Sequence, residues 1–128
     1  MISLAQYFMG REGEYASELI APLRANAEET VARVNALLAR ACLQCEVNSG
    51  WRPRALNARI PNASPRSRHI SCQAVDLADP DGSLDAWCLA NPDALEALGL
   101  WLEHPDATPG WCHLQTVPPA SGRRVFEP

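Results

Sequence analysis

Lysine is absent from the 128-residue chain, and all 11 basic side chains are arginine. Arginine keeps its charge and presents a planar fork of donors, which suits fixed carboxylate partners; coding bias accounts for the same composition equally well. Long apolar runs are missing too. None approaches the ~20 residues that a membrane-spanning helix requires, so membrane insertion is not expected. Met1 to Gly10 lack the basic start and extended apolar run of a secretion signal. The cysteines, Cys42, Cys45, Cys72, Cys88 and Cys112, are odd in number. Free thiols in a reducing cytoplasm are therefore expected rather than a disulfide scaffold. Cys42 and Cys45 have the spacing of half a zinc knuckle or a redox motif, but no second cysteine pair answers them. Ordinary semi-buried thiols fit that isolation better.

Proline is scarce at the start of the chain. Only Pro22 precedes residue 53, and the other ten follow, which places the helical part in the first third. Ser3 can cap a short helix through Met9. Between Ala27 and Cys42, apolar residues recur at Ala27, Val31, Val34, Leu38 and Ala41, the stripe of an amphipathic helix. Gln44 to Asn48 suit a short strand before the Ser49-Gly50 turn, and Pro53 opens a short helix through Ala58. Residues 61–68 form a polar loop, followed by a strand over Gln73 to Leu77. Ser83 and Asn91 cap two short helices, the second with Pro92 at its first position and its end at Gly99. Leu100 to His104 and Trp111 to Thr116 read as paired strands, with Arg123 to Phe126 as a further edge. Helices early and short strands late predict a single α+β domain over residues 1–128, with N-terminal helices packed on a small, mainly antiparallel sheet. At 14.0 kDa and 47% apolar residues its core is real but modest.

The net charge of −4 argues against a general nucleic-acid binder. Its parts are segregated. Arg52, Arg54, Arg59, Arg66 and Arg68 crowd residues 51–69 without an acid, whereas residues 70–122 contain no arginine but Asp76, Asp79, Asp81, Asp85, Asp93, Glu96, Glu103 and Asp106. Folding one half against the other makes either a cleft for an anionic peptide-like ligand or internal charge pairs.

Three side chains have the chemistry of metal ligands. His69 and Asp76 stand seven residues apart, and His113 lies on the second strand of the proposed hairpin. Two imidazoles and one carboxylate leave an open position on tetrahedral zinc (Zn²⁺), the arrangement of a catalytic site. Zinc lowers the pKa of its water, making hydroxide available near neutral pH. A satisfied structural histidine and a capping aspartate account for the same spacing taken alone.

The ordered set is more specific: Ser49-Gly50-Trp51-Arg52, then Ser67-Arg68-His69, then Ala74-Val75-Asp76, then Trp111-Cys112-His113. Over roughly Val47 to Thr116 this resembles the zinc D-Ala-D-Ala carboxypeptidases and their phage endolysin relatives, which cleave peptidoglycan peptides and share a fold with the hedgehog signalling domain. The resemblance implies that His69, Asp76 and His113 hold zinc, that Arg52 binds the substrate carbonyl and its developing charge, and that Ser67 lines the substrate site. It implies a peptidoglycan stem peptide as substrate, other phage proteins as partners, and action at the cell wall after holin release or on a virion. Trp51 and Trp111 flank motif residues and could wall the cleft.

The chain also departs from that pattern. Cys72 replaces a usual glycine and adds a thiol near the metal. Gly110 occupies the position, three residues before the second histidine, where many members carry the general base. Glu103 is the alternative base: strand alternation puts Trp101 and Glu103 on one face, as it does Trp111, His113 and Gln115. Asp106 ranks behind it because it falls in the loop, and Gln115 cannot act as a base. His104 competes as the second imidazole, but its opposite parity and Pro105 favour a loop role. Three functions follow: a zinc peptidase, a phage structural or cell-wall-binding module retaining the fold, and a metal-independent partner-binding domain.

Overall fold

A computed structural model describes residues 1–128. The chain opens with helix α1 (Leu4–Phe8), where Ser3 and Gln6 form a reciprocal capping box. After α2 (Arg11–Glu14) and a single 3₁₀ turn comes the long helix α3 (Ala21–Ala41). This helix begins six residues before the expected start at Ala27, because Ile20 is extended and Pro22 lies in the first turn, where its missing N–H costs nothing. Thr30 and Leu37 join Ala27, Val31, Val34 and Leu38 on its buried stripe. Strand β1 (Val47–Ser49) and helix α4 (Arg54–Asn57) follow, with Pro53 just ahead of that helix rather than inside it.

The second half supplies β2 (Ala74–Ala78), α5 (Ser83–Ala90), α6 (Pro92–Leu98), β3 (Trp101–Glu103), β4 (Trp111–Gln115) and β5 (Val125–Phe126). The strand order is β1-β2-β4-β3-β5, antiparallel except for the β3–β5 pair. The α+β class and mainly antiparallel sheet are as the sequence predicts. One cap differs. Ser83 is the first residue of α5, not its cap, and the Asp79 carboxylate accepts the Leu84 and Asp85 N–H groups, both at 2.9 Å. An acceptor four residues outside the helix satisfies the same orphan donors, and nearest-neighbour capping rules do not see it. Asn91 does precede α6, but its side chain donates to Trp87 O instead of capping.

Val75, Leu77, Leu102, Cys112 and Leu114 point from one face of the sheet into a core shared with Val34, Leu37 and Leu38 of α3, Leu84 and Cys88 of α5, and Leu95 of α6. Two buried polar bonds bind helices to the sheet's entry: Tyr7 Oη donates to Ala74 O at 2.8 Å and Thr30 Oγ1 to Cys72 O at 2.7 Å. Strand alternation sends Ala74, Asp76, Glu103, Trp111, His113 and Gln115 to the opposite face. The core therefore occupies one side and the chemistry the other.

Gly50 allows α1 to approach β1. A Cβ there would collide with the Tyr7 carbonyl, which already accepts the Trp51 N–H at 3.0 Å. Gly50→Ala should lower stability by about 1–3 kcal/mol in urea denaturation, since backbone must move. Asp85, on α5 against β4, is 6% exposed. Burial, reinforced by the Asp79 charge, pushes its carboxyl up to about 6. The folded state thus holds this proton more tightly than the unfolded chain. Its contribution to stability is present below about pH 4 and is lost as pH rises through about 6. Asp85→Asn should remove that loss, so the urea midpoints of wild type and variant should diverge in favour of the variant between about pH 4 and 7.

Candidate metal centre

The register of the central strands sets Asp76 directly opposite His113. Continuing the β3–β4 pairing one step beyond Leu102↔Leu114 brings Glu103 to the other side of His113. His69 arrives from outside the sheet. Its turn is held by the Ser67 hydroxyl, which accepts the His69 N–H at 3.3 Å, and by the His69 carbonyl, which accepts the Arg52 N–H at 3.1 Å. Cys72 then redirects the chain into β2 with φ at +59°, a left-handed conformation that suits glycine and is strained for cysteine. Its thiol is fully buried among the core residues, and that burial pushes it up to about 12. The expected thiol beside the metal site is therefore absent: the turn aims Cys72 at the helices.

His69, Asp76 and His113 each offer one ligating atom, all within 4.8 Å of one another. His113 Nδ1 lies 2.8 Å from Asp76 Oδ1, and His69 Nε2 lies 3.3 Å from Asp76 Oδ2. The two imidazole rings meet edge to face at 5.4 Å, and Phe126 closes on His113 at 6.2 Å. Glu103 Oε2 stands 4.0 Å from His113 Nδ1. Burial alone would raise the Asp76 carboxyl, but hydrogen bonds to His113 and His69 outweigh it and hold the group below the usual carboxylate range. For His113, burial opposes protonation while the Asp76 bond favours it, and Asp76 prevails. Glu103 has the reverse balance: burial raises its proton affinity more than His113 lowers it.

The donor set fits a divalent metal. His69 Nδ1 faces the Gly50 carbonyl at 2.9 Å, and a carbonyl can only accept. The ring proton therefore sits on Nδ1, leaving the Nε2 lone pair of neutral His69 aimed at a carboxylate. A backbone acceptor orienting a ligating histidine is a usual companion of metal sites. Two nitrogens and a carboxylate, with Glu103 alongside, are donors of the types that hold zinc in three-ligand sites.

The other expected residues divide. Arg52 lies beside the cluster on the segment that braces His69. Its guanidinium donates to Asn57 Oδ1 at 3.1 Å and Ser49 Oγ at 3.3 Å, and it forms no ion pair. Trp111 is half-buried on the His113 face, one pleat away and opposite Ala78. Trp51 is fully buried against Phe8 and does not wall a cleft beside the cluster. Asp106 is 94% exposed and reaches only His104, whose Nδ1 accepts the Asp106 N–H; neither joins the cluster. The largest cavity, about 690 Å³, is lined by Trp51, Arg54, Ile70 and neighbours and includes none of His69, Asp76, Glu103 and His113. Sequence reasoning passed over Arg11, whose guanidinium donates to Trp51 O at 2.7 Å and whose charge is crowded by burial and by Arg52. Only the short α2, a four-residue helix with no apolar stripe, could have signalled it.

Removing the anion should release the imidazole. In the metal-free protein Asp76→Asn should lower the His113 pKa, because burial then acts with less opposition, and an NMR titration of the ring protons reads this directly. An unchanged His113 titration would show that Asp76 does not govern it.

A family model described as Peptidase M15 matches residues 9–96. The match takes in Arg52, Ser67, His69 and Asp76, while Glu103 and His113 lie beyond it and reach the cluster through strand pairing. No curated protein and no solved structure matches the chain. A match over more than half the chain, joined to a two-histidine, one-aspartate cluster, establishes that this protein belongs to the Peptidase M15 family, the zinc D-Ala-D-Ala carboxypeptidase group that its motifs resemble.

Proposed function

We propose that the chain is a zinc-dependent peptidase that hydrolyses peptidoglycan stem peptides, as a D-Ala-D-Ala carboxypeptidase or a stem endopeptidase. The observation that carries this reading is the convergence of His69, Asp76 and His113 with a second carboxylate, Glu103, at 4.0 Å from His113 Nδ1. In this reading His69, Asp76 and His113 hold zinc. When bound, zinc supplies a Lewis acid that polarises the scissile carbonyl and makes hydroxide available near neutral pH.

Glu103 is the general base. Its burial keeps its proton affinity above that of an ordinary carboxylate, which suits a group that takes a proton from the attacking water and returns it to the leaving amine. Arg52 stabilises the charge that develops on the carbonyl oxygen. Its guanidinium meets only neutral acceptors, so its charge is not cancelled by a neighbouring acid. Ser67 holds the His69 turn and lines the substrate site with Trp111. A carboxylate-bearing stem peptide complements the arginine-rich 51–69 segment. No helix of the chain is long and apolar enough to cross a membrane, and cell-wall action after holin release or on a virion, with other phage proteins, completes the proposal.

A second reading, a phage structural or cell-wall-binding module with little or no activity, draws on one observation. Gly110, at the position of the usual base, forms a turn at φ +90° and supplies no side chain. Hydrolysis of purified muropeptides by the zinc-loaded chain, measured with bound zinc, separates the two. The peptidase reading expects cleavage by the wild type and a drop of about 10²–10⁴-fold in Glu103→Gln with zinc retained. Zinc uptake by the wild type without cleavage of any stem peptide would support the module instead.

A further inference from the structure

We infer that Gln115 is a positioning residue for this centre: it holds His113 in the tautomer whose Nδ1 lone pair faces Asp76. The inference rests on the metal-binding reading of His69, Asp76 and His113. Gln115 is 6% exposed, and both ends of its amide are engaged. Its Nε2 donates to the Val117 carbonyl at 2.8 Å. Because a carbonyl oxygen only accepts, that contact decides which end of the amide is which. The atom 3.0 Å from His113 Nε2 is therefore the amide oxygen, Oε1. It too only accepts, so His113 Nε2 must carry a proton.

A neutral imidazole protonated at Nε2 has its lone pair on Nδ1, the atom 2.8 Å from Asp76 Oδ1. Two acceptors at that separation repel unless a proton or a cation lies between them. His69 reaches the same condition through a different partner, the Gly50 carbonyl at its Nδ1. Two imidazoles on unconnected segments are thus each turned by an acceptor on the far side, one backbone and one side chain, so that both present bare nitrogen to the same carboxylate. Gln115 reaches His113 because residues 113 and 115 share a strand face, and the Val117 bond keeps its amide from flipping. A glutamine that served only to finish β4 would need the Val117 bond alone.

Zinc affinity of the full chain, measured by competition with a chelator, tests this in Gln115→Met and Gln115→Glu. Methionine fills similar space without an acceptor and should weaken zinc binding about 10–100-fold, the usual effect of losing a partner behind a ligand. Glutamate retains an acceptor for the Nε2 proton and should preserve affinity, although the Val117 bond is lost. Nitrogen-15 NMR of the zinc-loaded wild type should show the His113 proton on Nε2, and that proton should exchange with water faster in the methionine variant, which has no acceptor to hold it. A merely structural role would lower the unfolding midpoint of both variants and leave zinc affinity and the Nε2 proton exchange alone. Wild-type affinity in Gln115→Met, or a proton on Nδ1 of the loaded wild type, overturns the inference while leaving the metal reading intact. Failure of the wild type to take up zinc overturns both.

Discussion

The pairing of Asp76 with His113 across β2 and β4 is the constraint on which the rest of the molecule depends. In a sheet, neighbouring residues point to opposite faces, so one register assigns every side chain on both strands. In this register Val75, Leu77, Cys112 and Leu114 meet the helices, while Asp76, His113 and Gln115 gather on the other face. A slip of one residue would place a carboxylate and an imidazole in the core and leave leucines in solvent. The apolar core thus enforces the geometry of the polar cluster, and the cluster needs no scaffold of its own.

The same cluster brings a cost that its neighbours offset. Asp76 is held away from water between two imidazoles, and burying a charge is unfavourable unless it is paired. In the metal-free chain the two imidazoles lie against it at 2.8 and 3.3 Å, and the Asp76 bond raises the proton affinity of His113. A divalent cation would answer the charge directly, tying the His69 turn to the strands and so coupling metal uptake to stability. Cys72 shows a related compromise. Its left-handed backbone is held by the Thr30 bond to its carbonyl and by complete burial of its thiol. That strained turn carries the chain directly from His69 into β2.

Much of the local structure was legible because local rules decide it. Ser3 caps α1, Pro92 and Gly99 bracket α6, and the alternation of Trp101, Glu103, Trp111, His113 and Gln115 foretold a shared face. Where the rules failed, a distant partner had supplied what the neighbourhood lacked. Asp79 caps α5 from outside the helix, and α3 starts at Ala21 with no side-chain cap at all. The short α2 has no apolar period to reveal it. Trp51 was placed by its motif neighbours at the substrate cleft, yet it packs against Phe8 in the core, and the cavity it lines includes none of the cluster.

The sequence by itself determined the residue types of the site, their order along the chain and the parity of each strand, because these follow from chemistry and from a two-residue period. Only the tertiary structure decided which of them meet. His69 and His113 are far apart in sequence, and a turn braced by Arg52 and Ser67 brings the first to the second. Glu103 and Asp106 were both acids near one hairpin; strand pairing carried Glu103 to His113 and left Asp106 in solvent. Gln115 changed most. Without a proton to give or take at neutral pH it has no catalytic use as an isolated side chain, but packed against His113 and Val117 it directs a lone pair. Which nitrogen carries a proton depends on the acceptor behind it, and that acceptor exists only once the chain has folded.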